Sequence, residues 1–143
     1  MKNEMKLVMD AVSENEALAR MTAATFLARL HPTLEELEDV KTAVSEAVTN
    51  AIIHGMPKDN KVYITCTAEK NIFAVTVEDH GIGIENVEKA MEPLFTTKPE
   101  QERSGMGFAF MEAFMDELKV TSVPGQGTVV TMEKAIGFSR YEE

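Results

Sequence analysis

Residues Lys61–Asp79 read KVYITCTAEKNIFAVTVED, and this stretch constrains the fold more than any other. Val62, Ile64, Cys66 and Ala68 alternate with Lys61, Tyr63, Thr65 and Thr67, the period of a half-buried strand. Glu69-Lys70-Asn71 then turns the chain into a second run, where Phe73, Val75, Val77 and Asp79 share one face. Two strands with one apolar face each require a second layer to cover that face. Phe73, Val75 and Val77 face the core, so Asp79 ends its strand pointing toward the covered side. A carboxylate there is costly unless something binds it.

Helices on either side can supply the cover. Ser13 is placed to cap a helix over Glu14–Leu30, with Glu16 at capping-box spacing. His31-Pro32 breaks the chain, and Thr33 can cap a second helix with Glu35 and Glu36 in its positive first turn. That helix is expected to run to His54 and stop at Gly55, with Pro57 beyond. A first strand is expected at Met5–Val12 and a short helical stretch near Glu85–Met91. The segment PLFTTKPEQERSG has no sustained periodicity and reads as a loop or lid. A third helix is expected from near Gly105 to near Leu118. Closing strands follow at Lys119–Val123 and Thr128–Lys134, flanking the turn PGQG, with a frayed tail from Ala135. This order gives an α+β class, with one helix layer on one face of a largely antiparallel sheet. The 143 residues read as a single domain.

Composition excludes several functions. A net charge of −10 argues against binding by broad phosphate neutralisation, so direct nucleic-acid binding is not expected. An acidic surface fits basic protein partners and equally well serves solubility. Cys66 is the single cysteine, which removes an internal disulfide or a cysteine zinc site and leaves a small core residue. No apolar run reaches membrane-spanning length and Met1–Asp10 is too polar for a signal sequence, so a cytoplasmic location and no membrane contact are expected.

Four pieces carry possible chemistry. Glu46, Asn50 and His54 recur every four residues on the second helix, a row on one face set among Ala43, Val44, Ala47, Val48, Ala51, Ile52 and Ile53. A carboxylate one turn from an amide can hold a reacting hydroxyl beside a metal-bound phosphate; a solvated polar stripe has the same spacing. Asp79-His-Gly81-Ile-Gly83 places glycines after a strand-end carboxylate, so that backbone can approach a flat ligand while the carboxylate accepts from an exocyclic amine. An incidental turn would look alike. Ser104-Gly105-Met106-Gly107 opens a helix whose free N–H groups suit an anion, or is a glycine hinge. Gly125-Gln-Gly-Thr128 puts a hydroxyl at the start of a strand, in what is otherwise a hairpin turn.

Their order from Glu46 to Thr128 resembles the ATP-binding fold shared by gyrase, Hsp90, histidine kinases and MutL. Within that superfamily, PLFTTKPEQERSGMGFAFMEAFMDEL is similar to the serine-kinase branch of anti-sigma factors from sporulating bacilli, across nearly the whole chain. The resemblance implies a two-layer α/β sandwich, a mixed sheet covered on one face by three helices. It implies Glu46 as general base toward a protein serine and Asn50 as ligand of Mg²⁺ on ATP or ADP phosphates. Asp79 would read the adenine N6, supported by Thr128 through a water, with Gly81 and Gly83 shaping the pocket. Ser104, Gly105, Met106 and Gly107 would cradle phosphates under a lid at about residues 93–104, with Lys98 or Arg103 meeting the γ-phosphate.

The same resemblance implies a sigma factor of the sigma F type and an anti-anti-sigma factor as partners, and a homodimer. Arg20, the sole charge between Glu16 and Arg29, is a candidate anchor for those partners or an ordinary exposed arginine. His54 is read as the helix C-cap, and His80, unusual inside this motif, is assigned no chemistry. Phe108 stands where leucine is common and is expected to alter packing. Competing functions are a histidine-kinase-like ATPase domain and a nucleotide-gated binding module without catalysis.

Overall fold

A computed structural model describes residues 1–92 and 107–137. Five strands form one sheet in the order β1-β2-β3-β5-β4: β1 (Asn3–Asp10), β2 (Lys61–Glu69), β3 (Ile72–Asp79), β4 (Glu117–Val123) and β5 (Gly127–Ala135). Every neighbouring pair is antiparallel. The sheet is therefore antiparallel, as the residue pattern indicated, where the family resemblance implied a mixed one. The two-layer α/β sandwich is as expected.

The alternation in β2 and β3 does what the sequence requires. Val62, Ile64, Cys66 and Ala68 are buried, as are Phe73, Val75, Val77 and Asp79. The Glu69-Lys70-Asn71 turn places Lys70 and Asn71 at positive φ, 52° and 54°. Burial pushes the Cys66 thiol up to about 12, which keeps it protonated and unreactive as a core residue.

Three helices cover this face: α1 (Asn15–Leu27), α2 (Leu34–Ile53) and α4 (Gly107–Phe114). A further short helix, α3, spans Val87–Ala90. In α2 the buried positions Val40, Ala43, Val44, Ala47, Val48 and Ala51 recur at intervals of three and four, and α2 packs on α1, α4 and the sheet. Its start is a capping box: the Thr33 hydroxyl accepts the Glu36 N–H at 3.1 Å, and the Glu36 carboxylate accepts the Thr33 N–H at 2.9 Å.

Four expectations are corrected. Ser13 does not cap α1: Glu14 already has helical backbone angles, φ −60° and ψ −25°, and the cap position makes no side-chain bond. Ser13 instead uses its carbonyl, which accepts the Glu16 N–H at 3.1 Å. The first helix ends earlier, continuing as a 3₁₀ turn at Ala28–Leu30. The third long helix also ends early, at Phe114, because the chain joins the sheet edge: the Asp116 N–H donates to the Glu133 carbonyl at 2.8 Å and Glu117 pairs with Glu133. The tail is not frayed through residue 137. Ile136 is fully buried, and the Gly137 N–H donates to both Glu36 carboxylate oxygens at 3.1 Å.

Candidate functional site

The C-terminal half of α2, the end of β3 and the start of β5 converge on a cavity of about 760 Å³. That volume lies within the ~300–1,000 Å³ typical of small-molecule sites. Ala47, Ala51, Val77, Ile82, Ile84 and Val130 give it apolar walls, with Asn50, His54, Asp79 and Thr128 among its polar groups.

Asp79 is the distinctive member. The alternation of β3 turns it inward, where it is only 5% exposed. Among the described residues its hydrogen bond is the Gly81 N–H donating to Oδ1 at 2.9 Å, so Oδ2 remains available to the cavity. Burial pushes its carboxyl up from 3.8 to about 6, against the opposing effect of the Gly81 bond. At neutral pH it is a desolvated anion with unused acceptor capacity, suited to an N–H donor from a ligand.

The glycines near it are required by contact. A Cβ on Gly81 would overlap the Gly55 carbonyl, and one on Gly55 would lie 2.8 Å from the Asp79 Cγ. Gly55 is therefore a pocket residue as well as the point at which α2 stops, as expected: His54 is the C-cap, the Gly55 N–H donates to the Asn50 carbonyl at 3.0 Å, and positive φ follows at Met56, at 48°. Gly83 has φ 75°, and a Cβ there would strike the Val123 carbonyl. Backbone bonds clamp this turn, with the Ile82 N–H donating to the Gly55 carbonyl at 2.8 Å and the Gly125 N–H to the Ile82 carbonyl at 2.7 Å. Lys58 adds a side-chain tie, its Nζ donating to the Gly125 carbonyl at 2.8 Å.

The expected residues divide into three groups. Asn50, Asp79, Gly83, Gly107 and Thr128 line the one cavity, with Gly81 directly beneath Asp79. Asp79 and Thr128 are register partners across β3 and β5. Glu46 lies one turn before Asn50, half-buried, and is not among the described lining residues; Arg20 sits on α1, its Nε 2.9 Å from the Glu16 carboxylate. Lys98, Arg103, Ser104, Gly105 and Met106, with the proposed lid, lie outside the described residues.

His54 caps α2, its N–H donating to the Asn50 carbonyl at 2.9 Å, and also lines the cavity. His80 faces away from Asp79. Its ring nitrogens lie 3.0 Å from Glu78 and Asp59, its ring packs on Tyr63, and those two carboxylates raise its pKa. Phe108, Asn86 and Lys89 also line the cavity, and no motif in the sequence marked the last two.

The groups present fit a nucleotide: apolar walls, the buried acceptor of Asp79 and the amide of Asn50 on α2. Residues 9–134 match the family described as histidine kinase-like ATPase domain. Anti-sigma F factor of Bacillus velezensis is 54% identical over 98% of this chain and 97% of that protein; the same-named protein of Anoxybacillus flavithermus is 55% identical over the same shares. The Bacillus subtilis protein of that name is 52% identical over 98% and 97%. A crystal structure of the RsbU and RsbW domains of a Mycobacterium tuberculosis protein has the same fold, with a TM-score of 0.70 at 19% identity over 94% of this chain and 32% of that one.

Proposed function

Since the chain belongs to the histidine kinase-like ATPase domain family, and within it to the anti-sigma F factors, we propose that it is an ATP-dependent protein serine kinase that also sequesters a sigma factor. The anti-sigma role follows from that membership, and ATP binding from the ATPase domain. The kinase activity is the finer step. Its substrate would be a serine of an anti-anti-sigma factor.

The observation that carries the nucleotide reading is Asp79, a buried carboxylate aimed into an apolar cavity with Oδ2 open to a donor. An adenine N6 amine supplies that donor, and Thr128, beside Asp79 in register, supports the same edge through a water. Asn50 projects into the cavity one turn beyond Glu46 and would hold Mg²⁺, which neutralises phosphate charge when bound. Phosphoryl transfer needs positioning and charge neutralisation more than covalent work by the protein. The N-terminus of α4 and the cations Lys98 and Arg103 are the proposed phosphate contacts. Glu46 is the proposed acceptor of the serine proton, a role worth ~10²–10⁴-fold.

Arg20 is the proposed anchor for both protein partners. It lies on α1 near Leu18 and Met21, which are 48% and 51% exposed. A cytoplasmic homodimer is part of the same reading. One alternative is a nucleotide-gated binder without catalysis; the Glu46 carboxylate one turn from Asn50 on α2 counts against it.

Incubation with labelled ATP, Mg²⁺ and an anti-anti-sigma protein separates them. Label on a serine of the partner supports the kinase, released phosphate alone an ATPase, and neither a binder. Glu46→Ala is expected to keep ATP binding and lose transfer by ~10²-fold or more. Undiminished transfer would reject Glu46 as the base.

A further inference from the structure

The sheet end at which Asn3 pairs with Ala68, opposite the end that carries Asp79, holds a second cavity of about 380 Å³. Lys2 before β1, Glu69 and Lys70 at the end of β2, and Arg29 on the 3₁₀ turn line it, with Leu30 and Ala68 as apolar walls. Three cations against one carboxylate is an unusual local balance in a chain whose net charge is −10. Among the described residues none of the three is ion-paired; Arg29 lies over the Phe26 ring, 5.9 Å from its centroid.

The chain reaches Gly137 beside this cavity. Asn71, next to Lys70, accepts the Ile136 N–H at 2.9 Å, and its Nδ2 donates to the Ile136 carbonyl at 3.2 Å. Gly137 lies so close to the 3₁₀ turn that an added Cβ would sit 2.8 Å from the His31 carbonyl oxygen and 3.4 Å from that of Leu30. Residues 138–143, outside the described ones, read Phe-Ser-Arg-Tyr-Glu-Glu. Glu142 and Glu143 outweigh Arg140, and Phe138 and Tyr141 suit the apolar walls. Five residues of chain span at most roughly 18 Å, ample for a cavity whose Leu30 wall adjoins Gly137.

We infer that this basic cavity is the docking site for residues 138–143 of the same chain, with the Glu142 and Glu143 carboxylates set against Lys2, Arg29 and Lys70. Charge and tether select this occupant together. A tether of a few residues gives an effective concentration on the order of millimolar. Exposed ion pairs are individually weak, and they suffice for a tethered segment where a free acidic peptide would need far more affinity. The docked segment straps the end of β5 to the start of β1 and the end of β2. None of the residues assigned to the nucleotide takes part, so the inference stands apart from the proposed function.

Zero-length carbodiimide coupling tests it, because it joins a carboxylate only to an amine in contact, and peptide mass mapping of the full chain locates each join. Light and isotope-labelled chains are mixed, which separates joins within one chain from joins between two. The Asp10–Lys61 ion pair, at the far end of the same strands, is the internal standard. Glu142 or Glu143 is expected to join Lys2 or Lys70 within one chain. Arg29→Glu keeps both lysines and should lower that yield roughly threefold or more relative to the standard, and Arg29→Lys should retain it. Joins spread evenly over other lysines, joins found only between two chains, no join at all, or an undiminished yield in Arg29→Glu would each overturn the inference.

Discussion

Among the described residues two carboxylates are buried, at opposite ends of the helix layer, and they are used in opposite ways. Glu36, 8% exposed, sits at the start of α2. It accepts the Thr33 N–H and the Gly137 N–H, which ties the capping box to the residue after β5. Asp79, 5% exposed, accepts the Gly81 N–H and turns its other oxygen to a cavity. A buried carboxylate surrounded by backbone donors stabilises the fold. One left short of donors beside an apolar cavity costs stability and gains binding. The difference lies in the donors, since the burial is nearly equal.

The largest effect should come from breaking the satisfied member. Glu36→Ala removes charge-assisted bonds to two backbone donors and half of the capping box. A loss of about 2–4 kcal/mol is expected from these terms together. Urea unfolding measures it, and a loss below about 1 kcal/mol would place Glu36 among ordinary surface carboxylates.

The opposite sign is expected at the unsatisfied member. Folding raises the Asp79 carboxyl from 3.8 to about 6, so the folded state holds this proton more tightly than the unfolded state. Its cost to stability is thus full above pH 6 and fades as pH falls toward 3.8. Asp79→Asn keeps an acceptor for Gly81 and removes the charge. It should be more stable than wild type by about 1–2 kcal/mol at pH 8, with the gap closing by about pH 4. A pH-independent gap would mean that the charge is not its source.

The sequence made one of these two carboxylates legible as a ligand group and the other only as a helix starter. Period-two alternation puts Asp79 on the covered side, since it depends only on strand geometry. Thr33 and Glu36 were legible through local spacing, but the contact of Glu36 with Gly137 spans 101 positions and no local pattern encodes it. For the same reason Ile136 read as tail although it is core. Ser13 had the right spacing for a cap and failed, because Glu14 is already helical and the required extended geometry is absent. Gly55 was legible as the helix stop it is, since a glycine after a helix usually is one. Its second constraint, the approach of Asp79 and Gly81, is tertiary and was not legible. The phosphate-side expectations at residues 98 and 103–106 fall outside the described residues.

The central claim is that the open side of Asp79 awaits a ligand donor, and titrating ATP into Asp79→Asn at neutral pH tests it most directly. The account predicts an affinity at least ~100-fold below wild type, the cost of losing a buried charged acceptor, in a protein whose unfolding midpoint is no lower. Wild-type affinity in that variant would contradict it.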